Sequence, residues 1–362
     1  MSDGLVVAWP ADGWAALESV PDDIDAKLLR AAVKGALDRE TVGPRDMTSY
    51  LRGILAGQSH AELLGPLRDA VGASGVIVYR GSLLARWGDP AALEMSFSAT
   101  KTYLSVVAGA AFDHDLIGDL DDPVAASVDG QEFAAPLHDQ TTWAHLLHQS
   151  SEWSGTLWDK PWWADPQDGQ PRNAPLGAPG SVFAYNDVRI NLLALALTRL
   201  WRRPVPEVLR AEVMEPIEAS STWEWHGYRN SRVQIDGQPI EVVSGGAHWG
   251  GGLWMNAYDH ARLGYLFLRR GRWRSRQILS DEWIDASTTP SPTNPDYGML
   301  WWLNRRARVF PDAPTSGFCA RGNLGRQLVW VDPARDLVVV SRWSDDVGIL
   351  LAEVSRAICS TG

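Results

Sequence analysis

The chain has 362 residues, 45% of them apolar and 21% charged, and this is globular rather than disordered composition. The length allows a sizeable core in one large or two interlocked domains. A net charge of -11 argues against nucleic acid or an anionic membrane as partner, and with no spanning apolar run and no basic residue before Lys27 a cytoplasmic protein is expected.

Up to Leu67 the apolar spacing predicts helices over 14–20, 26–38 and 47–56. Residues 75–88 then read as two strands joined by a turn containing Gly81-Ser82. Directly after them comes Met95-Ser96-Phe97-Ser98-Ala99-Thr100-Lys101, followed by helix formers. A turn-rich acidic stretch over 113–123 marks the exit from a first lobe. From 124 to 240 the pattern is helices and long loops with few strand signals, including a helix start at 142–148, a loop over 158–179 and an apolar helix over 190–201. After Gly245 strand texture returns. Gly250-Gly251-Gly252 could let backbone approach a ligand, though no Gly-Lys-Ser/Thr follows to make a phosphate loop. Helices are expected over 258–270, 281–288 and 347–359, and strands over 297–302, 327–331 and 336–343. The expected fold is α/β (α+β): an antiparallel sheet flanked by helices, formed by 1–119 and 244–362, with an all-helical lobe over 120–243.

The chemistry centres on Ser98 and Lys101. Ser98 falls at the mouth of a helix, with Lys101 one turn later on the same face. A serine hydroxyl is a weak nucleophile until a neighbour takes its proton, and a partly desolvated lysine can do so. The helix N-terminus adds positive potential where an oxyanion would form. Alone, Ser-x-x-Lys is common, and most instances are an N-cap followed by a solvated lysine. His145 and His148 have no third ligand at a convincing spacing, so packing is the expected role and no metal or cofactor is called for. Of the 19 tryptophans, most should be core, but Trp153, Trp158, Trp162 and Trp163 lie in or beside the long loop and are candidates for a cleft wall. Two cysteines, Cys319 and Cys359, neither require nor exclude a bridge.

Five segments in order resemble the serine β-lactamase and penicillin-binding-protein-like hydrolases, and within them the branch of class C β-lactamases, family VIII carboxylesterases and nylon-oligomer hydrolases. They are Ser98-Ala99-Thr100-Lys101; the run from Trp143 to Ser151; Pro179-Gly180 with Phe183-Ala184-Tyr185 and Leu192-Leu193; Gly251-Gly252-Leu253 through Asp259, Ala261, Arg262, Gly264 and Leu268; and Arg321-Gly322-Asn323 ahead of Val329-Trp330-Val331-Asp332-Pro333.

The resemblance implies Ser98 as acylated nucleophile, Lys101 as the group that helps deprotonate it, and Tyr185 as the second base. It implies an oxyanion hole from the Ser98 N–H and an N–H within Gly322, Asn323 and Leu324. The chain departs from the family at Asp187, usually asparagine, and at Arg321, where the third motif usually opens with lysine or histidine. Arg321, planar and always charged, should pair with a carboxylate, either Asp187 across the lobes, which is the favoured reading, or an acid on the substrate, with Trp158 and Trp163 in the substrate wall. The expected function is hydrolysis of a small ester or amide through a Ser98 acyl-enzyme, with β-lactamase activity weak at best. The alternatives are an acyltransferase or peptide-bond-forming relative, and a non-catalytic penicillin-binding-like module.

Overall fold

The computed structural model describes residues 8–10, 13–17, 19–135, 138–165 and 176–358. Helix α1, Ala26–Asp38, starts where Asp25 accepts the N–H groups of Lys27 and Leu28, and α2, Met47–Ile54, is capped in the same way by Asp46. The helix expected over 14–20 does not form. That stretch instead lies beside the second strand, with Leu17 N–H donating to Leu83 O and Leu83 N–H to Ala15 O.

Strands β1, Ser74–Tyr79, and β2, Ser82–Trp87, form the expected hairpin and lead through β3, Glu94–Met95, to the nucleophile segment and helix α3, Thr100–Asp113. Every residue of α3 from Thr100 to Ala111 is buried. A helix buried all round belongs in the middle of a protein, and α3 occupies that place. The next part holds α4, Trp143–Leu147, the two-residue strands β4, Thr156–Leu157, and β5, Lys160–Pro161, then α5, Asp187–Trp201, and α6, Val205–Leu209.

The insertion is not all helical. Residues 224–243 form a hairpin of β6, Glu224–Ile235, and β7, Gln238–Val243, turned at Asp236-Gly237, both with left-handed φ (52° and 74°). β6 pairs in turn with β8, Gly252–Met255, and β8 with β3. This second sheet, in order β3-β8-β6-β7, takes strands from either side of the boundary at 243/244, so the two expected lobes are stitched together by backbone hydrogen bonds. The glycines before and within β8 serve that stitching. A Cβ on Gly65 would lie 2.6 Å from Gly250 C, so the close approach is to the chain's own backbone.

Helix α7, Ala257–Leu268, the small strands β9, Arg272–Trp273, and β10, Arg276–Gln277, and α8, Asp281–Ser287, follow. The chain closes with β11, Trp302–Leu303, β12, Phe318–Gly322, β13, Gln327–Asp332, β14, Leu337–Arg342, and α9, Val347–Ala357. The main sheet runs β11-β12-β13-β14-β1-β2, each pairing antiparallel, with Val76–Val78 and Val338–Val340 fully buried at its centre. Helices α1 and α9 cover one face and α3 and α7 the other. No described helix is long and apolar enough to cross a membrane.

Candidate active site

Ser98 lies in a single tight turn, Phe97–Ala99, that runs straight into α3. Phe97 has φ 47°, a rare conformation for a bulky residue, and is held in it by edge-on contacts with Tyr50 and Trp343. Beneath the turn, Ser96 Oγ meets His260 Nε2 at 3.1 Å, and His260 Nδ1 meets the Tyr103 hydroxyl at 2.7 Å. The Tyr103 hydroxyl in turn donates to Met255 Sδ, so Ser96, His260 and Tyr103 form a continuous polar chain inside an apolar core. Burial, helped by the positive charge of Arg342, pushes the His260 imidazole down to about 3, so the ring is neutral.

Lys101 points from the first turn of α3 at Ser98: its Nζ donates to Ser98 Oγ at 2.9 Å. The ammonium is 1% exposed, and its counter-charge is Asp187, at the start of α5, with Oδ1 2.5 Å away. The second oxygen of Asp187 accepts the His248 N–H (3.1 Å), and the Asp187 N–H donates to Asp165 Oδ2 (2.6 Å). Gly246 closes this corner. A Cβ there would lie 2.5 Å from Asp187 Cγ and closer still to Asp187 Oδ2 and Lys101 Nζ, so only glycine leaves room for the pair.

Tyr185 comes from the segment ahead of α5. It lines the same cleft as Ser98, and the Lys101 ammonium lies 4.6 Å from its ring centroid. Burial first, and the charge of Asp187 second, hold this phenol well above its ordinary range, so the hydroxyl is neutral. Gln149 fixes the segment: its carbonyl oxygens accept the Ala184 and Asn186 N–H groups, and its Nε2 donates to Tyr297.

Gly322, at the end of β12, backs onto the nucleophile turn. A Cβ there would lie 2.9 Å from Ser98 N and 2.8 Å from Ala99 N. Asn323 and Leu324, both with left-handed φ, then turn the strand away along the cleft. Asn323 is oriented by a directional chain: Arg326 pairs with Asp345 and donates to the Tyr50 hydroxyl, which donates to Asn323 Oδ1. The cleft over Ser98 encloses about 620 Å³ and is walled by apolar groups, among them Leu51, Ile54, Phe183, Trp302 and Leu324.

Two expectations are corrected here. Arg321 does not pair with Asp187, because the shorter and more deeply buried Lys101 reaches that carboxylate first. Its guanidinium instead lies 5.6 Å from the Trp302 ring and 5.5 Å from that of Phe310, on the cleft wall, with no carboxylate within salt-bridge distance among the described residues. The tryptophans of the long loop are not in the cleft lining: Trp158 packs edge-on against Tyr228 and Trp163 against His60, while Trp153 is core. The aromatic wall is Trp302, from β11, against Tyr185 at 5.6 Å.

His145 and His148 are structural. His145 closes a capping box with Thr142, and burial pushes His148 down to about 4. No cluster of metal-ligating side chains occurs among the described residues. Cys319 is buried in β12, which pushes its thiol up to about 12, and its pairing with Cys359 falls outside the described residues. Sequence reasoning missed Asp165, Gly246, His248 and Tyr297, and placed Trp302 only within a cluster of tryptophans of which several could wall a cleft. None lies in a recognised motif, and only the spacing of Gly245-Gly246 behind a strand hinted at a close approach.

The Beta-lactamase family profile matches residues 60–347. The chain belongs to the beta-lactamase family. Among solved structures it is similar in fold to a penicillin-binding protein homolog from Caulobacter crescentus, at 17% identity over 94% of this chain and 99% of that one, TM-score 0.59. It is likewise similar to EstCE1, a hydrolase with promiscuous acyltransferase activity, at 15% identity over 92% and 98%, TM-score 0.56. A beta-lactamase from Mycobacterium bovis matches at 18% identity over 79% of this chain and 95% of that one, TM-score 0.53. The resemblance read from the five segments therefore holds at the level of the serine β-lactamase and penicillin-binding-protein-like superfamily. Within the Arg321-Gly322-Asn323 segment it is Gly322 that makes the close backbone approach to Ser98.

Proposed function

We propose that this protein is a serine hydrolase that cleaves a small ester or amide through an acyl-enzyme on Ser98. The observation that carries the reading is Lys101 Nζ at 2.9 Å from Ser98 Oγ, with the Tyr185 ring over the same ammonium, on the wall of an apolar cleft that both Ser98 and Tyr185 line. Ser98 Oγ attacks the carbonyl carbon and its proton leaves toward Lys101. The developing oxyanion sits at the mouth of α3, beside the Ser98 N–H and an N–H of the Gly322–Leu324 segment. Tyr185 hands a proton to the departing alcohol or amine, and water entering from the same side is activated by the reverse route.

The wall favours small apolar acyl or leaving groups. Arg321, not being spent on Asp187, removes the ground for expecting β-lactam acids to be poor substrates, and they belong in the substrate panel. A fluorophosphonate probe followed by mass spectrometry should place the label on Ser98, and Ser98→Ala should abolish both labelling and turnover. A label elsewhere, or a turnover that survives in the alanine variant, rejects the assignment. Because the acyl-enzyme can also be captured by an alcohol or amine, product analysis with added acceptors separates hydrolysis from acyl transfer.

A further inference from the structure

Ser98 and Lys101 leave one question of proton accounting. A lysine whose ammonium is paired with a carboxylate has no lone pair with which to take a proton from serine. It becomes an acceptor only by passing one of its own protons on at the same time. The group placed to receive that proton is Asp187, 2.5 Å from Nζ on the side away from solvent and fully buried.

The site around Asp187 fixes its carboxylate and keeps one oxygen on Lys101. It opens the 15-residue helix α5, where the helix dipole favours negative charge. Its Oδ2 is held by the His248 N–H, leaving Oδ1 for Lys101. Asp165 touches its backbone N–H, and not its carboxylate. The charged and titratable groups facing the pair are Tyr185 beside it, Tyr228 from β6, Tyr297 from the segment before β11, and His248 and Asp165 from the loops that close the corner. Arg321 places its positive charge near Tyr185, the neighbour of the pair.

We infer that Asp187 is a positioning residue that serves as the proton store for Ser98 acylation, acting through Lys101. The inference rests on the proposed Ser98 chemistry. As the Ser98 Oγ–carbon bond forms and the carbonyl electron pair moves onto oxygen, the serine proton passes to Lys101 Nζ and one Nζ proton passes to Asp187 Oδ1. The pair thereby goes from neutral to a net charge of +1 while the oxyanion becomes -1. On collapse the bond to the leaving group breaks. The Asp187 proton then returns to Nζ, one from Nζ moves to Tyr185, and the Tyr185 proton goes to the leaving group. Protons and charge balance at each step without any further reactant. An asparagine at this position could orient Lys101 but could not store the proton.

The experiment measures the pseudo-first-order rate of labelling by a fluorophosphonate–biotin probe across pH 5–10 in the wild type and in Asp187→Asn. The variant should label on the order of 10²-fold more slowly at neutral pH. Its pH profile should also differ in shape from that of the wild type, since a carboxamide cannot take up the proton. A folded variant with the wild-type rate and pH profile overturns the inference. If the variant does not fold, a proton inventory of labelling in H₂O/D₂O mixtures on the wild type decides it: a bowed plot supports two protons moving together, and a straight line overturns it. A wild type that labels at Ser98 while Asp187→Asn behaves identically sinks only this inference. A wild type that does not label at Ser98 sinks the Ser98 reading as well.

Discussion

The tightest corner of the site offers the most direct test of its geometry. Gly246→Ala adds one methyl at a position where carbon would stand 2.5 Å from Asp187 Cγ, against an ordinary carbon–carbon contact of about 3.5–4.0 Å, an overlap of about 1 Å. Gly246 has no left-handed φ, so the substitution tests space and not backbone freedom. Lys101 and Asp187 are both buried and cannot swing into solvent, so the methyl must push them apart or push the loop out. Overpacking of this kind costs about 1–3 kcal/mol, and splitting a buried ion pair about 3–5 kcal/mol. A shift of about 1 Å in Nζ relative to Ser98 Oγ should slow acylation by about 10²-fold. Single-turnover kinetics with p-nitrophenyl butyrate measures the rate, and urea unfolding measures the stability. A variant with an unchanged unfolding midpoint and a rate within about two-fold of wild type would refute the idea that this contact fixes Lys101.

Lys101→Ala and Tyr185→Phe should each lower turnover by about 10²–10⁴ while leaving the urea midpoint close to wild type for the tyrosine change; equal and trivial losses would show that Tyr185 only packs. Trp302→Ala should alter the ranking of esters with acyl chains of different length more than it alters stability, and an unchanged ranking would remove Trp302 from the substrate wall. Arg321→Gln should lower kcat/KM for an ester bearing a free acid relative to its neutral counterpart, and equal effects on both would place the guanidinium outside the substrate's reach. On acidification the fold should weaken through its buried neutral histidines. His260 (about 3) and His148 (about 4) titrate near 6.5 when unfolded, so below that pH the unfolded chain binds more protons and stability falls until the folded values are reached. His260 alone accounts for an effect on the order of 3–5 kcal/mol, and thermal midpoints from pH 8 to pH 4 should fall less steeply in His260→Gln; parallel curves would contradict this.

The grouping of the candidate residues was legible because its parts are local. Ser98 and Lys101 are three residues apart on one helix, and Tyr185 follows a Pro-Gly turn just ahead of the apolar run of α5. What was not legible depends on contacts far apart in sequence. Nothing in the residues around Asp187 says that Lys101, 86 positions earlier, outcompetes Arg321 for it. Trp302 gains its place from the edge of the sheet and not from a motif. The β6–β7 hairpin was read as non-strand because charges and Gly227 interrupt its alternation, although Asp236-Gly237 is the turn signal that could have found it. The stretch over 14–20 has helical spacing, yet the edge of β2 offers its backbone partners that an isolated short helix lacks.

The order of strands in the main sheet has a bearing on how the molecule is made. β1 and β14 lie side by side at its centre although Ser74 and Arg342 are 268 positions apart. Until the last quarter of the chain has been synthesised, Val76, Ile77 and Val78 present an uncovered apolar edge with only β2 beside them. Closing so long a loop is slow, and an open edge is where nascent chains aggregate. Soluble yield should therefore respond to expression temperature and to chaperone supply more than to surface changes. A chain cut before Leu337 would lose the middle of its sheet and not a dispensable margin.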